Sequence, residues 1–313
     1  MRGKTVFIAG GSAGLGKEIA KQLAAQGADI TIFARGQGQL DEAKKEILAE
    51  RIYLAQTVHA VSIDLGDASK VQDAFKSQDR LPDVLYCVAG GTTHGFFTDL
   101  DARDLESCMK KNYFTAAYTA QSILRLWTED DKAAKTTSQR LRQIIFITSA
   151  AAFLGVPGYA AYTASKCAVR ALADTLRMEV LRHPDKVSTY TVHCAFPSTF
   201  ITEAFVEEQK MKPELTKRIE GTLAPIEELE KQYPSATRVA EGIIAGVSRG
   251  DFAICDDSPD TSYLFASMIG PSPKRGLGVV DTFLAAYAGW FITPRWRRGW
   301  EKMCKREALR ARL

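Results

Sequence analysis

Thr5-Val6-Phe7-Ile8-Ala9-Gly10-Gly11-Ser12-Ala13-Gly14-Leu15-Gly16 is the stretch that decides the fold. Five strand-forming residues run into a glycine turn. Glu18 to Gln26 then carries apolar residues at helical spacing, with Ile19, Ala20, Leu23 and Ala24 on one face. Strand, glycine turn and helix in that order make a phosphate cradle. Gly10, Gly14 and Gly16 let the backbone approach a pyrophosphate, Ser12 offers a hydroxyl, Leu15 lies within the turn, and the helix N-terminus faces the negative charge. The Gly10, Gly14, Gly16 spacing departs from the G-x-G-x-x-G dinucleotide fingerprint.

The second strand, Asp29 to Ala34, ends at Arg35, where a dinucleotide fold meets the adenosine ribose. An acid there would bond the 2′-hydroxyl, whereas a base accommodates a 2′-phosphate, so Arg35 favours NADP(H) over NAD(H). The competing reading is a solvated loop arginine. A third strand, Val58 to Leu65, ends in Asp64-Leu65, placed to touch adenine. A fourth, Asp83 to Val88, closes on Ala89-Gly90-Gly91, small enough to lie against a flat cofactor. Helices over 40–49 and 71–75 separate these strands. Leu105 to Leu126 reads as one long helix containing Asn112, a poor helix-interior residue.

Residues 128–141 are expected as a polar surface insertion. The fifth strand, Gln143 to Thr148, delivers Ser149, and Tyr159 to Leu181 is a helix bearing Tyr162 and Lys166 four positions apart, hence on one face. A lysine beside a phenol favours its ionised form. Alone the pair is weak, since many helices carry it on a solvated face; Ser149 and the glycine turn give it meaning. A sixth strand, Val187 to Phe196, stops at Pro197. The alternation predicts an α/β doubly wound parallel sheet with ligands at its C-terminal edge.

The chain has 313 residues, 46% hydrophobic and 25% charged, as expected of a folded globular protein. Six scattered cysteines without C-x-x-C suit a reducing compartment and no disulfide framework. Neither they nor the four histidines have metal-ligand spacing, so no metal is expected. Met1 to Lys4 leads directly into the first strand, and no secretory signal is expected there. Residues 295–312 hold eight basic residues against Glu301 and Glu307, which leaves the rest of a chain of net charge +4 slightly acidic.

These features together resemble the short-chain dehydrogenase/reductase family over roughly residues 4–257. The resemblance rests on Gly10-x-x-x-Gly14-x-Gly16, Ala89-Gly90, Asn112, Ser149, Tyr162-x-x-x-Lys166, and Pro197 followed by Thr199 and Thr202. Ala9, Cys87-Val88 and Ser198 depart from the residues usual there. The resemblance implies a Rossmann-type domain over 1–257 and hydride transfer to a carbonyl carbon. In that mechanism Tyr162 is the proton donor, its phenol made more acidic by Lys166 and the oxidised nicotinamide. Ser149 stabilises charge on the carbonyl oxygen, and Asn112 holds a water linking Lys166 to solvent. The cofactor contacts it implies are Gly10, Ser12, Gly14, Leu15, Gly16, Arg35, Asp64, Leu65, Ala89, Gly90, Tyr162, Lys166, Pro197 and Thr199. Family members commonly pair through the helices holding Asn112 and Tyr162, which suggests a homodimer or homotetramer.

Residues 198–235 are expected to form a lid. Phe200, Ile201, Phe205, Val206, Met211, Leu215 and Ile219 either line an entrance for a long chain or are ordinary helix core. After a helix over 239–247 and a seventh strand over 252–255, the extension 258–313 remains. Its apolar segment Leu277 to Thr293, interrupted by Asp281, is short against the ~20 residues needed to span a bilayer. With Trp290, Trp296, Trp300 and the basic run, it reads as an interfacial anchor on an anionic leaflet; a buried terminal helix or oligomer contact is the alternative. The acidic body argues against nucleic acid. Lid, tail and Arg35 are similar to the 3-ketodihydrosphingosine reductase subfamily, implying an NADPH-dependent lipid-ketone reductase on the cytosolic face of the endoplasmic reticulum. A membrane-bound steroid, retinoid or fatty-acyl ketone reductase, and a catalytically silent NADP(H)-binding regulator, are the alternatives.

Overall fold

A computed structural model describes residues 1–134, 139–182, 187–256, 258–267, 278–296, 298, 299, 302 and 303. Seven strands form one parallel sheet in the order β3-β2-β1-β4-β5-β6-β7. They are β1 (Thr5–Ala9), β2 (Asp29–Ala34), β3 (Val58–Ser62), β4 (Val84–Cys87), β5 (Arg140–Ile147), β6 (Ser188–Phe196) and β7 (Ala253–Cys255). Helices α1 (Gly14–Ala25), α2 (Gln37–Ala49), α3 (Ala68–Lys76), α4 (Ala102–Met109), α5 (Thr115–Ala133), α6 (Ala160–Glu179) and α10 (Ala236–Arg249) cover the sheet. The order reverses between β1 and β4, where a doubly wound sheet opens its crevice.

Alternation along β1 explains why both faces are buried. Val6 and Ile8 join Ile30, Ile32, Ile19, Leu23, Ile243 and Val247 on one side. Phe7 and Ala9 join Phe33, Phe75, Phe146, Ile123 and Trp127 on the other. Successive strand residues face opposite ways, and a parallel sheet needs an apolar layer on each face. Phe7, Phe33 and Phe75 interlock with ring centroids 4.9–5.3 Å apart and planes 54–65° to one another, close to the edge-to-face geometry favoured by ring quadrupoles.

Two expectations change. The helix over 105–126 is two helices joined through a wide π-type turn, Lys110–Phe114, which contains Asn112. The expected insertion over 128–141 is instead the end of α5 and the start of β5, with 135–138 outside the described residues. Two of its acids, Asp130 and Asp131, are paired. Asp130 and Asp131 both hold Arg142, the latter at 3.0 Å. Asp131 also accepts from Ser188 at 2.8 Å and from Tyr190. Arg142 keeps 4% of its side chain exposed and lies over the Trp127 ring.

The segment after β6 forms three short helices, α7 (Glu203–Met211), α8 (Glu214–Glu220) and α9 (Ile226–Gln232). Its ends meet where Ile201 bridges Ser235, so the lid is a closed excursion from the sheet edge. Phe205 and Leu215 are buried, while Met211 is exposed. Helix α11 (Pro259–Ala266) packs Phe265 against Phe153 and Phe196. The body therefore continues past the boundary expected at 257. Helix α12 (Val279–Tyr287) follows and runs into a second π-type turn, Ala288–Ile292.

Candidate active site

A cavity of about 920 Å³ lies along the C-terminal edge of the sheet. Every expected cofactor contact except Thr199 lines it: Gly10, Ser12, Gly14, Leu15, Gly16, Arg35, Asp64, Leu65, Ala89, Gly90, Tyr162, Lys166 and Pro197. Ser149 lines it too. Thr199 faces the smaller adjoining cavity, and Thr202 lines both. Asn112 lines neither; it is 1% exposed and packs behind Gly90.

The glycine turn is shaped for a close-lying anion. A Cβ on Gly16 would stand 2.0 Å from the Gly10 carbonyl oxygen, and one on Gly10, at φ +94°, 2.5 Å from the Ala89 nitrogen. Helix α1 begins at Gly14 with no side-chain cap and no acid in its first turn, leaving backbone N–H groups free to meet phosphate oxygens. Arg35 is exposed at the tip of β2 and makes no ion pair among the described residues. Ser62 donates to its backbone oxygen at 2.9 Å, tying the β2 and β3 tips together. Asp64 accepts from Gly66 N at 2.9 Å and pairs with Lys110 at 3.5 Å. These groups fit a dinucleotide carrying a 2′-phosphate.

Ser149 follows the end of β5 and caps the short turn Ala150–Ala152, accepting from Ala151 N at 3.2 Å. Ser149 and Tyr162 line both cavities of the site. One turn on, Lys166 lies with Nζ 5.7 Å from the centre of the Tyr162 ring, donating to the Ile147 carbonyl at 3.1 Å. Burial pushes the Tyr162 phenol above its ordinary value, with the neighbouring Ser149 hydroxyl pulling the other way. Desolvation of the phenolate therefore opposes the acidification expected from Lys166. Burial also lowers Lys166 from 10.5 to about 8.

Asn112 sits in the π-type turn because its amide closes on backbone. Nδ2 donates to Gly91 O at 2.9 Å and Cys108 O at 3.0 Å, and Oδ1 accepts from Gly91 N at 3.1 Å. Such bonds compensate for a widened helical turn, and they fasten the loop after β4 behind Lys166. The side chain is thus seen as a brace for the cavity floor.

A second cavity, of about 330 Å³, opens beside Ser149 and Tyr162 under the lid. Its wall includes Thr92, Tyr159, Glu208, Lys212 and Glu220, all missed from sequence. The Tyr159 and Tyr162 rings are 5.6 Å apart. Only the i,i+4 spacing of Glu208 and Lys212 hinted at a pair, and nothing local indicated that it points inward.

The profile of the short chain dehydrogenase family matches residues 4–210. The chain belongs to that family. Among curated relatives, a 3-ketodihydrosphingosine reductase of Aspergillus fumigatus is 32% identical over 298 residues, covering 90% of this chain and 78% of the relative. The Bos taurus 3-ketodihydrosphingosine reductase is 34% identical over 254 residues, covering 80% and 70%. A Danio rerio 3-dehydrosphinganine reductase is 32% identical over 281 residues, covering 88% and 78%. The fold matches solved family members. A Burkholderia phymatum short chain dehydrogenase/reductase in complex with NAD has TM-score 0.69 at 19% identity, covering 85% of this chain and 93% of that one. A Sphingobium yanoikuyae short-chain dehydrogenase in complex with NADPH has TM-score 0.64 at 20% identity, covering 80% and 87%.

Proposed function

We propose that the protein is an NADPH-dependent reductase of 3-ketodihydrosphingosine, yielding dihydrosphingosine. The observation that carries the chemistry is that Ser149 and Tyr162 line both cavities, with Lys166 beside Tyr162 in the larger one. The substrate is carried by the curated relatives, named as reductases of this ketone and similar over most of both chains.

When bound, the reduced nicotinamide supplies the hydride. The chain's own residues prepare the carbonyl. Ser149 orients the ketone oxygen and stabilises charge there. Tyr162, kept protonated at neutral pH by burial, holds its proton towards that oxygen, and an alkoxide is a far stronger base than a phenolate, so the proton moves as charge develops. Lys166, largely cationic below about pH 8, supports the phenolate left behind. The glycine turn and the α1 N-terminus hold the pyrophosphate, and Arg35 supplies the partner for the 2′-phosphate.

Membrane contact through the extension belongs to the same proposal. In α12 and the turn after it, Val280, Phe283, Tyr287 and Trp290 are 66%, 74%, 52% and 80% exposed, while Asp281 is 1% exposed. This helix turns its apolar face outward and its acid inward, the reverse of an ordinary surface helix, as suits an interfacial anchor. Among the described residues no helix is long and apolar enough to cross a membrane. Much of the basic run, including Arg297, Lys305, Arg306, Arg310 and Arg312, and Trp300 lie outside the described residues. The cytosolic face of the endoplasmic reticulum is the proposed location, and pairing through the α5 and α6 faces is the proposed assembly.

The test is a steady-state assay with NADPH: turnover of 3-ketodihydrosphingosine should exceed that of a steroid ketone, and equal or better turnover of the steroid would defeat the assignment. Arg35→Ala should raise KM for NADPH at least tenfold more than KM for NADH. A similar effect on both would remove the 2′-phosphate role.

A further inference from the structure

The smaller cavity contains more negative than positive charge. Lys212, with 1% of its side chain exposed, bridges Glu208 and Glu220 at 2.8 Å each, whereas the two carboxylates keep 12% and 16% of theirs exposed. All three line the cavity, and the acids are the more exposed of them. Tyr159 donates to Glu208 at 2.6 Å and Thr92 at 2.7 Å, so Glu208 is fully engaged and held below its ordinary range despite its burial. Glu220 is not so well served: burial raises it, with Lys212 only partly offsetting the cost. His94, which feels Glu208, is held below its ordinary value by burial and adds no second cation at neutral pH. The Lys111 ammonium is turned to the Thr92 carbonyl at 2.8 Å.

A purely structural clasp between α7 and α8 needs one acid for one lysine. The second carboxylate is surplus, and a surplus buried charge is costly unless a partner arrives. The partner must enter beside Tyr162, because the Tyr159 ring that bonds Glu208 is the neighbour of the Tyr162 ring. A sphingoid ketone carries a primary amine on the carbon next to its carbonyl. With the carbonyl oxygen at Tyr162 and Ser149, that ammonium lies two bonds away from the reacting carbon, within the same small chamber.

We propose that Glu208 and Glu220, spaced by Lys212, bind the ammonium group adjoining the substrate ketone and so make the enzyme selective for amino ketones. This rests on the proposed reduction of 3-ketodihydrosphingosine and adds the residues that recognise it. The ammonium completes the pairing that Lys212 leaves unfinished, and charge-assisted hydrogen bonds to two carboxylates fix which face of the ketone meets the hydride. A neutral ketone leaves the two carboxylates sharing one cation, which disfavours its entry.

The experiment compares kcat/KM for 3-ketodihydrosphingosine and for the hydroxyketone of the same chain length lacking the amine, in wild type, Glu208→Gln and Glu220→Gln. Wild type should prefer the amino ketone at least tenfold. Each variant should lower that ratio at least tenfold, chiefly through KM for the amino ketone. Equal wild-type turnover of the two ketones, or a proportional loss towards both in the variants, would overturn the proposal. NADPH titration and a thermal melt establish that each variant is folded; if one is not, the other decides, and if neither is, the wild-type ratio decides. Turnover of a steroid ketone with neither of these two reduced would instead refute the functional assignment itself, a distinguishable result.

Discussion

Tyr162 and Lys166 are held in opposite tension by the same burial, which raises the phenol and lowers the ammonium. Tyr162→Phe should cut kcat by at least about a hundredfold, the ordinary size of a general-acid contribution, while NADPH fluorescence titration gives an unchanged Kd. For Lys166, activity and stability should run in opposite directions with pH. Its ammonium is lost above about pH 8, so kcat/KM should fall on the alkaline side of that value. Between about 8 and 10.5 the unfolded chain binds this proton and the folded one does not, so the stability contribution rises with pH. Lys166→Met should therefore stabilise the fold at pH 7 by up to roughly 3 kcal/mol, less the bond to Ile147, and the gain should vanish by pH 10.5. Urea midpoints of both proteins across that range would check the sign; a constant difference would refute it.

At the scale of elements, the readable parts of the sequence are those whose geometry is local. Gly10, Gly14, Gly16 and the Tyr162–Lys166 spacing lie within a turn or a single helix, so their meaning survives without the rest of the chain. Asp130 and Asp131 looked like solvent-facing charge because their partner, Arg142, comes from the next strand. The π-type turn at Asn112 was hidden because its cause is the backbone of Gly91, on another element. The acid pair of the smaller cavity was hidden for the same reason: Thr92 and Glu208 are 116 residues apart. Glycines separate into two kinds on this view. Gly16→Ala should weaken NADPH binding at least tenfold, since its Cβ meets a carbonyl oxygen. Gly242, within α10 and with nothing within 4 Å of an added Cβ, should gain about 0.5–1 kcal/mol on replacement by Ala. Calorimetry of Gly242→Ala distinguishes a helix that merely tolerates glycine from one that requires it.

For the whole molecule, the outward apolar face of the extension is the feature with the widest reach. Phe283→Ser with Trp290→Ser, in the full chain, should reduce co-flotation with anionic vesicles severalfold and leave turnover of a detergent-dispersed short-chain ketone within about twofold, as expected for exposed side chains that line neither cavity. Unchanged flotation would return this helix to an internal or oligomer contact. The extension is also tied to the site: Phe265 of α11 packs on Phe196, the last residue of β6, directly before Pro197 at the cavity.

The chamber of about 330 Å³ lies near the lower end of ordinary ligand pockets. On the proposed function it would take the polar end of the lipid ketone and the first few carbons, and the remaining chain would stay in the bilayer from which it is drawn. The quantity that governs the reaction is then the mole fraction of ketone in the bilayer, an areal density. Diluting the substrate with inert lipid should slow the enzyme, whereas diluting the whole suspension with buffer should leave each bound molecule working at its former rate.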